Sequence, residues 1–452
     1  MKIFERIVVK KIVEHLDSQS LFNDGQHGFR KERSCLSQLL DHYHHILNIL
    51  EDQNVAEVIY LDFAKAFDKV DHGILLMKLR TQGIGMPLLK WIKSFLSGRK
   101  QKVVVEGHLS EPCVVQSGVP QGTVLGPLLF LIHIGDIDSG LRYSTASSFA
   151  DDTRIVMPLK TMEDASKLQE DLTSIYEWAD ENNMAFNGGK FEHLRYGGLH
   201  EDHVYTAPEG LEIPTKTEVK DLGVMMSSSG KHDQQIQDIV KSGNMTAGWI
   251  LRVFKSRDQK VMLTLYKSIV LPKMEYCSVL WSPKSIGLVR LLEGVQRSFT
   301  HRISGMRDLS YWQRLSALRL YSLERRRDRY SIIYVWKVLN GLAPNLTDGR
   351  CSIQQMHNIR RGKLCIIPPF NRYTPRYLQT LKENSFAIHG PRLFNALPRE
   401  IRDLEGDIDC FKFELDKFLR GIPDKPALPH YAQSAAGNGL LEQLAQQRAE
   451  AL

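Results

Sequence analysis

Two apolar runs of this chain each carry an acid that only folding can bring together. VAEVIYLDF (55–63) is a β-rich run, read as a buried strand, with Asp62 near its end. TASSFADDTRIVMPL (145–159) reads as strand, turn and strand, with Asp151 and Asp152 at the turn. Phe149 and Ala150 precede these acids, and Ile155 and Val156 follow closely. Carboxylates among apolar neighbours are costly unless something compensates them. An Asp-Asp pair alone also fits a polar hairpin turn, because Asp favours turns. A second acid at the end of a neighbouring strand strengthens another reading, in which two or three carboxylates converge at one sheet edge. Divalent cations would stabilise them there. Mg²⁺ prefers hard oxygen ligands and usually keeps waters and substrate phosphates. Two such ions roughly 4 Å apart support in-line phosphoryl transfer, with nucleotide polymerisation as its natural form.

The remaining pattern separates regions. Helices are expected over 3–16, 35–50, PLLKWIKSFLSG (87–98), the apolar segment 124–134 and MEDASKLQEDLTSIYEWADENN (162–183). In the last of these, Ala165, Leu168, Leu172, Ile175 and Ala179 recur at helical spacing. QKVVVEG and EPCVVQSGV read as a hairpin, and KDLGVMMSS (220–228) as an extended run. From about 232 the pattern is helical, and after Pro344 it becomes irregular and rich in Arg and Pro. No stretch reaches the roughly 18 apolar residues of a membrane span, so no membrane partner is expected. A net charge of +7 suits nucleic acid without establishing it. The six cysteines form no CxxC pair, against a disulfide framework or zinc knuckle. The opening MKIFERIVVKKIVEHL reads like mid-helix, so the natural N-terminus is expected upstream.

YLDFAKAFDKVDH (60–72), QSGVPQGTVLGPLLF (116–130), FADD (149–152), the NGGKF segment (187–191) and DLGV (221–224) occur in the order of reverse transcriptase motifs. Their wording, with GQHGFRKERS (25–34), resembles the non-LTR, LINE-type, jockey-like retrotransposon branch. The resemblance implies an α+β right-hand polymerase, N-terminally truncated. Residual fingers would cover 1–54 and a palm with an antiparallel sheet flanked by helices 55–230. A helical thumb would cover 231–345, and an irregular basic C-terminal region 346–452.

The resemblance assigns roles residue by residue. Asp62 and Asp151 would hold two Mg²⁺ ions, with Mn²⁺ as an alternative. Asp152 would be an auxiliary ligand, and the Phe63 carbonyl would complete a shell. Phe67 would exclude a 2′-hydroxyl; from the residues alone it reads as a core aromatic. Gln121 and Gly122 would shape the nucleotide pocket, although PQG alone reads as a helix-start loop. Lys190 would donate a proton to pyrophosphate, with a solvated lysine as the bland alternative. Arg30 would meet triphosphate or template phosphates, and Leu222 and Gly223 the primer 3′ end. A helix near 311–337 carries Arg325, Arg326, Arg327 and Arg329 among aromatics, which suits phosphates and stacking. It reads equally well as a solvated basic helix with a buried aromatic stripe. Arg360, Arg361, Arg372, Arg376 and Arg392 would join the same nucleic-acid contact.

The implied activity is RNA-directed DNA synthesis from dNTPs on an RNA template and a DNA primer at a target site. An upstream endonuclease domain or a partner would supply the nick. The nucleus is the implied location, with ribonucleoprotein assembly in the cytoplasm as an alternative. Two rivals remain at this level: an inactive nucleic-acid-binding remnant and a metal-dependent nuclease.

Overall fold

The computed structural model describes residues 2–198, 203–346, 352–358, 362–369, 373–426 and 438–450. Two compact units emerge, Met1–Gln38 with Gln53–Val219, and Leu39–Asp52 with Lys220–Leu452.

The first unit is built on a five-stranded sheet. Its strands are β1 (Val55–Leu61), β2 (Thr145–Phe149), β3 (Asp152–Leu159), β4 (Glu192–Tyr196) and β5 (Thr215–Lys216), in the spatial order β2-β3-β1-β4-β5. All neighbours are antiparallel except the short β4–β5 pair. β1 is central, which explains why its sequence is nearly all apolar rather than alternating: six of its seven residues are buried. Ile59 and Leu61 share one face with Ile155 and Met157, and that face joins the core. The helix Leu125–Ile134 packs into the same core, as does one stripe of the helix Met162–Glu181. Ala165, Leu168, Leu172, Ile175 and Ala179 form that stripe, as their spacing predicts.

Three buried carboxylates brace this frame. Glu57, in the middle of β1, takes Arg195 Nε at 2.6 Å and meets the His193 ring, both on β4. Asp171 accepts the backbone N–H groups of Arg142, Tyr143 and Ser144 at 2.7–3.0 Å, tying the chain just before β2 to the helix Met162–Glu181. Glu5 accepts from Val124 N at 2.7 Å and Leu125 N at 3.2 Å. Those donors open the helix Leu125–Ile134, where N–H groups lack intrahelical acceptors. The predicted hairpin over 101–119 forms only as pairs of two-residue strands, Lys100–Gln101 with Cys113–Val114 and Val104–Val105 with His108–Leu109. All of these residues are exposed.

The second unit is mainly helical. Asp233–Val253 packs against Ile286–Thr300 at Gly243, where a Cβ would lie 2.4 Å from Met274 Sδ. KDLGVMMSS is a tight hairpin rather than one extended run, Glu218–Asp221 returning as Val224–Ser227. The expected helix over 311–337 is two helices, Tyr311–Ala317 and Leu323–Leu339. The break falls where Arg319 takes a φ of +51°. The stretch after Pro344, expected to be irregular, holds helices at Arg376–Asn384, Phe386–Ala396 and Ile408–Arg420. Each is short and has apolar residues at helical spacing, such as Phe411, Leu415 and Leu419, all buried. Pro375 and Pro398 stand just before helix starts, so prolines that look like breakers act as punctuation. Arg360, Arg361 and Arg372 lie outside the described residues. Among the described residues no helix is long and apolar enough to cross a membrane.

Ile59 is fully buried at the centre of the sheet. Ile59→Ala is expected to cost about 2–5 kcal/mol, read as a lower urea midpoint. A midpoint unchanged within error would contradict the placement of the core.

Candidate active site

The antiparallel register places the acids. Leu61 on β1 pairs with Thr153 on β3, so one step further Asp62 comes level with Asp152. Phe149 pairs with Asp152, which leaves Ala150 and Asp151 as the two turn residues between β2 and β3. Ala150 holds the turn with a φ of +58°. Asp62 and Asp151 are half-buried and Asp152 is exposed. Partial desolvation raises the Asp151 pKa above its usual value, and the Asp62 charge adds to this. Asp152 is also raised, by desolvation and then by the charges of Asp151 and Asp62. Three carboxylates therefore oppose one another at one sheet edge, as the sequence suggested.

Lys190 lies in the turn Gly188–Lys190, and its Nζ stands 3.1 Å from Asp62 Oδ2. It is thus an exposed cation beside one of the acids. The chain after Asp62 is held by a bridge to the segment before Lys190. Asn187 N donates to Asp62 O, and Ala64 N to Ala185 O, each at 2.8 Å. Phe63 opposes Phe186 in that bridge, so the Phe63 carbonyl lies outside these two bonds.

Phe67 is half-buried. Its ring stacks on Phe130 with centroids 4.1 Å apart and meets the edge of Phe29 at 6.1 Å. The SGVPQG loop is zipped to the same turn. Gly118 N donates to Val70 O at 2.8 Å, and Val119 N to Phe67 O at 2.9 Å. Gly118 has a φ of +81°, and its Cβ would fall 2.7 Å from Asp68 Cα, so the approach requires glycine. Gln121 donates to Asp68 Oδ1 at 3.2 Å, and Gly122 (φ +76°) faces open space. The structure thus joins Asp62, Phe63, Phe67, Gln121 and Lys190 through one turn system, and sets the Asp151–Asp152 turn beside it.

Other assigned residues are differently engaged. The Arg30 guanidinium lies over the Phe22 ring at 4.2 Å and donates to Asn23 O at 3.0 Å. It braces its own loop instead of standing free for a phosphate. Leu222 (φ +43°) and Gly223 (φ +83°) make the tight turn of the hairpin in the second unit, and Tyr276 Oη donates to Leu222 O at 2.8 Å. The four arginines of Leu323–Leu339 do not form a nucleic-acid surface. Arg325 and Arg327 are buried. Arg325 donates to Pro423 O and Gln443 Oε1, while Arg327 lies among Glu293, Glu324 and Asp328. Arg326 forms a fork with Glu275, and Arg329 one with Asp416 at 2.5 and 2.8 Å. Successive helical residues point about 100° apart, so a run of arginines meets different neighbours rather than sharing one face.

Gln26 is a site residue the sequence reading passed over. Its amide, buried at 6% exposure, bonds both backbone groups of Ala150. Gln26 stands in GQHGFRKERS beside arginines whose charge is the more conspicuous local signal.

A sheet whose central strand ends in an acid level with an acidic hairpin turn, flanked by helices, is the palm of a right-hand polymerase. The chain belongs to the reverse transcriptase family: the model of "Reverse transcriptase (RNA-dependent DNA polymerase)" matches residues 1–226. Among its relatives is a probable RNA-directed DNA polymerase from transposon X-element of Drosophila melanogaster. That protein is 27% identical over 312 residues, covering 67% of this chain and 34% of its own length. The RNA-directed DNA polymerase from mobile element jockey of Drosophila funebris is 29% identical over 317 residues, with the same coverage, 67% and 34%. The chain spans about a third of the length of these curated relatives. A solved structure of apo telomerase from Candida tropicalis aligns with a TM-score of 0.40 at 11% identity, covering 77% of this chain and 60% of that one. Within that family, the chain is similar to the polymerases of these Drosophila mobile elements.

The family generally uses divalent metal ions. Among the described residues, no group of three or more His, Cys, Asp or Glu side chains already forms a metal cage. Two carboxylates and a carbonyl nevertheless suit a hard divalent cation that takes few protein ligands beside waters and phosphates. The mutual charge of Asp62, Asp151 and Asp152 supplies the electrostatic demand for a cation.

The raised Asp151 pKa has a stability consequence. A carboxyl whose folded pKa exceeds its unfolded value favours its protonated form in the fold. Stability is then lost as pH rises from the unfolded value, about 3.9, to the folded one, and the deficit persists at neutral pH. In metal-free buffer at pH 7, Asp151→Asn is expected to melt a few degrees higher than the unchanged protein. That gain should vanish near pH 3. A lower melting temperature for the variant at pH 7 would contradict the crowding of the acids.

Proposed function

We propose that this chain carries the RNA-directed DNA polymerase centre of a non-LTR retrotransposon, extending a primer 3′-hydroxyl with dNTPs on an RNA template. The observation that carries this reading is the register that levels Asp62 with the Asp151–Asp152 turn, beside the Phe67 ring and the Gln121–Gly122 loop. Asp62, Asp151, the Phe63 carbonyl and, in a lesser role, Asp152 would hold two Mg²⁺ ions, with Mn²⁺ able to substitute. When bound, such ions lower the barrier to in-line phosphoryl transfer by stabilising charge on the attacking and leaving oxygens.

The chain's own residues do the rest. Phe67 stacks on Phe130, so it would form a floor under the sugar that admits a deoxyribose and rejects a 2′-hydroxyl. Lys190, on a backbone turn bridged to Asp62, would release its carboxylate when ions arrive and turn toward the leaving pyrophosphate. Gly122 leaves space for close backbone approach. The Leu222–Gly223 turn would meet the primer end. DNA nicking would come from an endonuclease domain or partner, and the work would take place in the nucleus, after assembly on RNA.

The deciding experiment is primer extension with Mg²⁺ on poly(rA)/oligo(dT). The unchanged protein is expected to extend the primer. Asp62→Asn and Asp151→Asn should each lower extension at least a thousandfold while retaining most RNA binding by filter retention. Full extension by Asp151→Asn would remove the metal assignment. RNA binding without extension by the unchanged protein would favour an inactive remnant, and cleavage of the primer strand a nuclease.

Phe67→Ala is expected to raise rNTP use relative to dNTP use by tenfold or more in single-nucleotide incorporation. An unaltered ratio would return Phe67 to a core aromatic.

A further inference from the structure

We infer that Gln26 is a positioning residue for the metal site: its side-chain amide latches the Ala150–Asp151 turn in the conformation that presents Asp151. The inference rests on the polymerase reading only for its kinetic readout.

Ala150 adopts a φ of +58°, in the left-handed region that side chains other than glycine rarely hold. A two-residue turn also leaves its first residue without a ladder partner, and Ala150 is buried at 5% exposure, away from water. Gln26 answers both needs. Its Oε1 accepts from Ala150 N at 2.8 Å, and its Nε2 donates to Ala150 O at 3.2 Å. The same Oε1 accepts from Gly28 N at 2.7 Å, which fixes the amide against its own loop.

The backbone around it is laid on β2. Ser148 N donates to Gly25 O at 2.9 Å, and His27 N to Ser148 O at 2.8 Å, forming a parallel bridge at Gln26 and Ser148. Both flanking glycines are required by contact. A Cβ on Gly28 would lie 2.3 Å from Ala150 N, and one on Gly25 would lie 2.7 Å from Ala146 O. Gly25, Gln26 and Gly28 together therefore form a clasp whose contacts end on the residue before Asp151.

The chemistry of the amide is specific. Glutamate could accept from Ala150 N, but it has no donor for Ala150 O and would add a negative charge beside three acids. Methionine keeps the length and loses both bonds. Glycine at position 150 takes positive φ without help, so it should relieve the conformational part of the latch's task while leaving the two hydrogen bonds unmade.

The test uses the full chain with Gln26→Met, alone and with Ala150→Gly, and Asp151→Asn as the control for site-specific binding. Mn²⁺ binding is titrated by electron paramagnetic resonance, and kcat and KM for dTTP are measured on poly(rA)/oligo(dT). Gln26→Met is expected to weaken the Asp151-dependent Mn²⁺ binding at least fivefold and to lower kcat at least tenfold, with KM changed less than threefold. Adding Ala150→Gly should restore part of both, through the backbone strain it relieves. Mn²⁺ affinity and kcat within twofold of the unchanged protein would overturn the inference. So would a loss that Ala150→Gly does not recover, which marks a general folding role, or no Asp151-dependent Mn²⁺ binding in the unchanged protein. Absent primer extension together with the expected Mn²⁺ pattern would refute the polymerase reading and leave the latch standing.

Discussion

The pairing register between β1 and β3 is the constraint on which the catalytic unit depends. Side chains alternate along a strand, so a slip of one residue would turn Ile59 and Leu61 out of the core. The same slip would part Asp62 from the Asp151–Asp152 turn. Fold and site therefore share one determinant. Glu57 supports it from inside the sheet, because its buried carboxylate meets His193 and Arg195 of β4. Asp171 does the same for the approach to β2.

Around that register the site stores electrostatic cost. Burial and mutual repulsion disfavour the charged forms of Asp151 and Asp152, and one surface lysine on Asp62 offsets only part of the charge. Stability is given up where the acids crowd together. The rest of the unit is arranged to bear that strain: the SGVPQG loop is fastened to the Phe67 turn, and the GQHG loop to the FADD turn. Both fastenings rely on glycines at contact distance, which explains why these loops are dense in glycine without being loose.

The second unit shows where composition misleads. LERRRDR looks like a phosphate-binding stripe, yet its arginines are distributed around a helix buried on most sides. Glu275 and Asp416 take Arg326 and Arg329 from distant parts of the chain. Glu293 shares the interior with Arg327, and burial pushes its pKa up to about 7, while Tyr311 Oη donates to it at 2.6 Å. Buried ion pairs of this kind specify neighbours as much as they stabilise. Glu275, Glu293 and Asp416 all lie outside the helix that carries the arginines.

By itself the sequence determined the central strand, the acidic hairpin turn, the amphipathic helices of the palm and the order of the motifs. These are local matters: period-two and period-3.6 patterns, and acids at turn positions, are written in contiguous residues. It also marked Asp62 and Asp151, because acids among apolar neighbours are unusual, while Phe67 stood out only through the family resemblance. Tertiary structure alone decided that Lys190 lies on Asp62, that Arg30 braces its own loop, that LERRRDR turns inward and that Gln26 reaches Ala150. Such hydrogen bonds, ion pairs and ring contacts leave no periodic trace, since they depend on how the chain folds and not on what any one segment prefers.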